Sequence, residues 1–427
     1  MTGGRRIAVL VAAALALVFD GVELGLMPVA SLSVSKSLLG AAYTPTLGGD
    51  WFARFTAALM LGAAVGGIVL GGLGDRIGRT RALGVSVLAY SVFAGLGAWV
   101  RTQEEMLVLR FLVGLGVGGV WPNAVALAAE CWPDKSRPIV AGLMGAALNS
   151  GILGLSQVAR LWTVTPESWR WLFHLAAVPA LLGLLALRVI PESPLWLAQR
   201  AAGATTGDIP TRSTPSPVRD LLRPPLLRTT LVGILLGSIP MVGAWAASKW
   251  MIPWADAVAG STTAGYKAST QGAWALGAVL GSFVGAQVAV LLGRRRAYAA
   301  MSLGAATLTV GLFRGTAPLR PEFLPLVFAQ GFVGTLFFGW LPLYLPELFP
   351  TRVRAAGSGM AYNVGRFATA GGVLLAGSLF TVLGGSYPRV GSLCGLVYLL
   401  GIPAILWAPD TRHHSLAPSP TPRPHRP

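Results

Sequence analysis

Charge is scarce in this chain. Of 427 residues, 11% are Asp, Glu, Lys or Arg, about half of what a soluble domain carries. Acids are scarcer than bases: 16 Asp and Glu stand against 33 Lys and Arg, for a net charge of +17. Cysteine is nearly absent. Cys131 and Cys394 lie in or beside apolar runs, which argues against a disulfide framework or a cysteine metal site. His413, His414 and His425 fall in a Pro/Arg-rich tail whose spacing fixes no metal site, and His174 reads as a packed helix residue. No G-x-x-x-x-G-K-[ST] occurs, so ATP drive is not expected. No nucleophile–base pair stands out either, so neither an enzyme nor a cofactor is expected.

What is abundant is apolar. The hydrophobic fraction is 54%, with Gly 55 and Pro 30, and mean hydropathy is +0.64. Runs of about 20 apolar residues, enough to cross a bilayer, fall near 7–30, 52–73, 82–100, 106–129, 138–162, 170–190, 229–250, 268–292, 297–313, 323–346, 355–383 and 390–408. The ninth is short. The opening run follows Arg5-Arg6, as a signal peptide would. It also carries Asp20 and Glu23 and lacks a convincing cleavage site, so we read an uncleaved first span. Residues 31–51 read as an outer loop.

Basic residues gather in alternate loops: Arg5-Arg6, Arg76/Arg79/Arg81, Lys135/Arg137, 191–228, Arg294-Arg295-Arg296, Arg352/Arg354 and the tail. That alternation is the positive-inside pattern and places both termini in the cytoplasm, with a plasma or bacterial inner membrane as the expected location. A nucleic-acid protein would show one continuous basic patch, so no nucleic-acid partner is expected.

One pattern occurs twice. Glu130-Cys131-Trp132-Pro133-Asp134-Lys135-Ser136-Arg137 and Glu347-Leu348-Phe349-Pro350-Thr351-Arg352-Val353-Arg354 both read E-x-x-P-x-x-x-R, each between apolar runs. A repeat at that scale means a duplicated half-protein, as many transporters show. The expected division is a first six-helix bundle over 1–190, a linker over 191–228, a second bundle over 229–408 and a tail over 409–427.

Gly71-Gly72-Leu73-Gly74-Asp75-Arg76-Ile77-Gly78-Arg79 joins the second and third runs. It resembles the G-x-x-x-D-R-x-G-R signature of the major facilitator superfamily. Pro191-Glu192-Ser193-Pro194-Leu195-Trp196-Leu197 is similar to the P-E-S-P-x-W-L element of sugar porters and metabolite:proton symporters; without the family, Ser193 reads as a helix N-cap. Gly114 to Pro133 and Tyr344 to Arg366 resemble the monocarboxylate/sialate branch, although Val120 stands where that branch often has Glu. The resemblance implies an all-α integral membrane protein of the major facilitator fold, with twelve transmembrane helices in two pseudo-symmetric bundles. It further implies proton-coupled symport of a small organic anion, a carboxylate, by alternating access, with a monomer expected. A sugar or polyol porter stays open as the alternative, followed by drug efflux and a non-transporting sensor.

Charges inside membrane spans are costly and by default functional. Asp20 and Glu23 share one face of the first span, and Arg110 lies near the outer end of the fourth. In proton-coupled family members an acid on the first helix faces an arginine on the fourth. Glu23, then Asp20, is therefore expected to carry the proton and Arg110 to tune it, against a static ion pair. Arg160 and Lys249 would make the vestibule positive, although Lys249 at a span end is as readily read as snorkelling to headgroups. Asn149, Gln157, Gln271, Trp274, Asn363 and Arg366 complete the expected substrate site, each equally able to bond a neighbouring helix. Arg366 and Asn149 hold the same offset from the repeat arginines. The expected cytoplasmic gate is Asp75, Arg76, Arg79, Glu130, Arg137, Glu192, Glu347, Arg352 and Arg354. Val290 stands where the second half would repeat Asp75, so the latch is expected to be asymmetric.

Overall fold

A computed structural model describes residues 3–131, 137–206, 217–260, 262–350, 353–409 and 411. The described residues contain no strand. The first half consists of α1 (Gly3–Leu39), α2 (Pro45–Ile77), α3 (Arg79–Leu96), α4 (Gln103–Cys131), α5 (Arg137–Leu161) and a sixth span formed by α6 (Arg170–Ala177) and α7 (Ala180–Arg188). After α8 (Pro194–Thr206) and α9 (Pro217–Leu221), the seventh span combines α10 (Leu226–Val242), two irregular turns and α11 (Met251–Ala259). Then follow α12 (Tyr266–Leu292), α13 (Arg294–Gly315), α14 (Phe323–Glu347) and α15 (Arg354–Val382), and a twelfth span of α16 (Tyr387–Gly395) and α17 (Gly401–Leu406). Ten of these stretches are long and apolar enough to cross a membrane; α5 and α13 complete the twelve.

Three boundaries differ from the sequence reading. The outer loop expected at 31–51 shrinks to Gly40–Thr44, because α1 continues to Leu39 and α2 begins at Pro45. Ser31, Ser33 and Ser35 look loop-like in sequence, but they are buried on α1. Thr44 caps α2 by accepting from the Leu47 amide at 3.1 Å, with Pro45 just inside the helix. The ninth span, α13, is a full 22 residues. The seventh runs on past residue 250 to Ala259.

The halves repeat one packing scheme. In the first, α2 packs on α4, α1 on α5, and α3 on α6 and α7; in the second, α12 packs on α14, α10 on α15, and α13 on α16. Glycine explains how closely the central pairs meet. A Cβ on Gly62 or Gly66 of α2 would fall 2.1 or 2.0 Å from a carbonyl oxygen of α4. On Gly277, Gly281 or Gly285 of α12 it would fall 2.1 Å from one of α14. Small residues four apart let two backbones touch, which is the main attraction left to helices in lipid. The halves meet along α2 with α15 and α5 with α12.

Candidate functional site

A cavity lies between the halves at mid-span. It is narrow, with about 90 Å³ open to water-sized molecules. Asp20 and Leu24 of α1, Trp121 of α4 and Asn149 of α5 line it from the first half; Trp245, Lys249, Trp274, Tyr362 and Arg366 line it from the second. Trp121 and Tyr362 stack across the halves at 6.3 Å and 10°.

Lys249 owes its place to an interruption of the seventh span. Gly243–Ala247 form a π turn and Ser248–Trp250 a 3-10 turn. Gly243 has to be glycine here, since a Cβ would sit 2.3 Å from the Tyr398 ring. Ser248 Oγ donates back to the Gly243 carbonyl at 3.2 Å. The Lys249 ammonium lies 3.3 Å from the centre of the Trp274 ring and 5.6 Å from that of Trp245. It is 1% exposed and has no hydrogen-bond partner. Lys249 therefore does not snorkel.

A polar network holds this cage from behind. Trp274 Nε1 donates to Gln330 Oε1 at 2.8 Å. The Gln330 amide nitrogen donates to Ser248 Oγ and, at 3.2 Å, to Thr309 Oγ1. One buried amide thus fixes the indole under the ammonium and the residue next to Lys249.

On the other side, Arg110 Nη1 donates to Glu23 Oε2 at 3.4 Å, and both side chains are sealed from solvent. Glu23 Oε1 and Arg110 Nε and Nη2 have no hydrogen-bond partner. The pair is not part of the cavity lining, and Arg110 lies against the Phe173 ring. Asp20 faces the cavity itself. Arg366 reaches from α15 into the first half, where its Nη1 donates to the carbonyls of Ala63 at 2.9 Å and Gly118 at 3.4 Å. Asn149 donates to Ser282 across the halves at 2.9 Å.

The remaining expected substrate residues lie outside the cavity lining. Arg160 sits in the last turn of α5 and is exposed, as is Gln157 one turn earlier. This corrects the expectation of Arg160 deep in its span: α5 ends at Leu161. Gln271 is fully buried, unbonded, and faces Gly25 of α1. Asn363 packs on Gly67 of α2. His174 is exposed, not packed, and meets only the edge of Trp99 among ring contacts.

At the motif-bearing end the ion pairs that Arg79 and Arg294 make among the described residues stay within each half. Arg79 pairs with Asp75 at 2.7 Å and Glu130 at 3.2 Å; Arg294 pairs with Glu347 at 2.8 Å. Arg79 and Arg294 hold equivalent places, each following a glycine of positive φ, Gly78 at 107° and Gly293 at 84°. Glu192 differs from the expected arginine network: its carboxylate accepts from the Thr80 amide at 3.0 Å and caps α3. Ser193 caps α8 through the Trp196 amide at 3.2 Å. Trp196 Nε1 donates to the Asp75 carbonyl at 3.0 Å, so the two sequence motifs form one unit. Arg76 is exposed. Arg352 and the side chains of Arg137 and Arg354 lie outside the described residues, as do His413, His414 and His425.

The opposite end is closed. Trp250 packs between Phe52 of α2 and Phe380 of α15 at 5.1 and 4.9 Å. Lys267 of α12 donates to Ser33 of α1 and to Asp256 of α11, both at 3.0 Å.

Residues 11–217 match the family model for the sugar (and other) transporter. Over 403 residues the chain is 30% identical to a cis,cis-muconate transport protein of Acinetobacter baylyi, covering 91% of this chain and 92% of that protein. The chain belongs to the sugar (and other) transporter family. It is thus a multi-pass membrane transporter of the major facilitator superfamily, not an enzyme. A gallate transporter of Pseudomonas putida is 27% identical over 93% of this transporter and 90% of its own length. Among solved structures, that of a D-xylose-proton symporter superposes with a TM-score of 0.72 at 17% identity, covering 96% of this chain and 99% of that one. That likeness carries the fold alone.

Sequence reasoning about this transporter missed Trp245, Gln330, Ser248, Tyr362 and the Lys267–Asp256 pair. A signal existed for two of them. Trp245 stands four residues before Lys249, and Gln330 is a lone amide in the apolar run 323–346.

Proposed function

We propose that the protein is a proton-coupled symporter of small organic carboxylates, working as a monomer by alternating access. The observation that carries this reading is Lys249, an ammonium buried in the cavity wall without a hydrogen-bond partner. A buried cation is costly unless something pairs it, and a substrate carboxylate is the natural partner. The indole faces of Trp245 and Trp274 suit a flat, conjugated acid. Relatives named for muconate and gallate transport support the same class.

The buried Glu23–Arg110 pair is the proposed proton site, with Asp20 as second choice. Protonating Glu23 removes its hold on Arg110 and lets α1 move against α4. We propose that the motif-bearing end, with its basic loops, faces the cytoplasm of a plasma or inner membrane, and that 191–228 joins bundles over 1–190 and 229–408. Asn149 and Arg366 are proposed substrate-site residues, and Asp75, Arg79, Glu130, Arg294 and Glu347 stiffen the cytoplasmic ends.

The test is uptake into liposomes with the inside alkaline, with labelled benzoate, gallate and xylose beside one another. Carboxylate accumulation that collapses with the gradient and with Lys249→Met is expected. Xylose uptake without carboxylate uptake overturns the reading.

A further inference from the structure

Arg366 fastens α15 to the first half, and it does so without a counter-ion. Among the described residues no carboxylate forms an ion pair with it. Its Nη1 rests on two main-chain carbonyls, Ala63 of α2 at 2.9 Å and Gly118 of α4 at 3.4 Å. Its Cζ lies 5.3 Å from the centre of the Tyr362 ring. The sequence prepares both acceptors. Pro122 stands four residues after Gly118 inside α4 and has no N–H, so the Gly118 carbonyl lacks its helical donor. The Ala63 carbonyl has a second lone pair beyond its helix bond. Gly67, one turn on from Ala63, clears the approach: a Cβ there would collide with Asn363 Oδ1 and come within 3.3 Å of Arg366 Nη1. This fastening lies at the wall of the cavity, and both of its partners are neutral.

A guanidinium bonds a carboxylate roughly twice as strongly as one neutral group bonds another. We propose that Arg366 is a second anion subsite and a latch in one: the distal carboxylate of a ligand anchored at Lys249 takes Arg366 from the Ala63 and Gly118 carbonyls. That exchange frees α15 from α2 and α4. The proposal rests on the carboxylate reading above and names its substrate class, a dicarboxylate. The opposite end is held by Trp250 and Lys267, so the freed α15 parts from the first half at the motif-bearing end. A monocarboxylate occupies Lys249 and leaves the latch fastened.

The experiment uses the full-length protein in lipid nanodiscs at about pH 6, where free carboxylates are ionised. The probes are trans,trans-muconate and adipate, a stiff and a flexible dicarboxylate, beside sorbate and hexanoate, which keep the same two chains with one carboxylate each. Calorimetry reads binding. Hydrogen exchange reads the motif-side turns of α2 and α15, over 67–77 and 356–365. At saturation of wild type, at least one dicarboxylate is expected to quicken exchange there by about tenfold, the scale of one hydrogen bond to a charged group. The monocarboxylates bind and leave exchange slow. Arg366→Met, which removes the donor, and Gly67→Leu, which fills the approach, should exchange fast without ligand, and a dicarboxylate should add nothing. Pro122→Ala gives Gly118 its helical donor back and should lie between these variants and wild type. Ligand-free exchange as slow as wild type in both Arg366→Met and Gly67→Leu overturns the latch. Bound dicarboxylates that quicken nothing, or monocarboxylates that quicken exchange equally, overturn the second subsite and leave the carboxylate reading in place. Binding of none of the four acids by wild type strikes the carboxylate reading itself and takes this inference with it.

Discussion

Lys249 and Trp274 come from different spans of the same half, and the ammonium of one rests 3.3 Å from the ring centre of the other. The indole helps an otherwise unpartnered charge, by about 2 kcal/mol when desolvated. It does not replace a counter-ion. Lys249→Met is therefore expected to act in opposite directions on two measurements. Thermal melts of the ligand-free protein should rise, because an unpaired buried charge has gone. Benzoate affinity should fall by more than about tenfold, the cost of removing one partner of a buried charge pair. A variant that melts lower and still binds would contradict the assignment.

Gln330 is expected to act on binding without touching the ligand. Gln330→Leu leaves the Trp274 N–H without its acceptor and takes one donor from the Ser248 hydroxyl. The Michaelis constant for carboxylate uptake should rise several-fold with the maximal rate nearly kept, and Gln330→Glu, which can still accept from Trp274, should recover part of the loss. Equal loss in both variants would point to general misfolding.

Glu23 and Arg110 should behave as one unit. Arg110→Gln strands a buried carboxylate and should cost about 3–5 kcal/mol of stability. Adding Glu23→Gln should restore much of it, which a double-mutant cycle on melting data can read. On transport, Glu23→Gln should lose accumulation driven by a pH gradient while keeping substrate exchange across the membrane. If gradient-driven accumulation survives, coupling belongs to Asp20 instead.

Lys267 should hold the end opposite the motifs closed. Lys267→Met removes the bonds to Ser33 and Asp256 together. Hydrogen exchange in the last turns of α1 and in α11 should quicken, while α13 and α14 stay protected. Unchanged exchange in α1 would remove this contact from the closing mechanism.

Glu192 should matter to the architecture of the motif end rather than to charge traffic there. Glu192→Gln keeps an acceptor for the Thr80 amide, while Glu192→Ala removes it, and loss of such a cap costs about 1 kcal/mol. The alanine variant should therefore melt lower than the glutamine variant. Equal melting of the two would return Glu192 to the arginine network.

The parts legible in sequence are those whose geometry is local. Asp75 to Arg79 is a helix end, a glycine and a helix start written in consecutive residues, and the repeated Glu130 and Glu347 pair with Arg79 and Arg294 just after that glycine in each half. Ser193 could be read as a cap from its neighbours alone. Lys249 was visible as a charge in a span, but its fate depended on Gly243 breaking the helix and on Trp274 arriving from another span. Arg160 fails for the complementary reason: an apolar run shows that a helix crosses, while its last turn decides whether a residue meets the cavity or the surroundings. Ser33 looked like loop because burial of a hydroxyl against Lys267 leaves no trace in composition.

The glycine seams inside each half, at Gly62 and Gly66 and again at Gly277, Gly281 and Gly285, have a mechanical meaning. Backbone pressed on backbone cannot shear by a fraction of a residue, so α2 with α4 and α12 with α14 move as solid levers. Between the levers the contacts are side chains: Trp121 on Tyr362, Trp250 on Phe52, Lys267 on Ser33. Those can part and re-form one at a time. The work of switching then falls at the tips of the levers and spares their shafts, and among the described ion pairs of the motif end none has to break for the halves to rock apart.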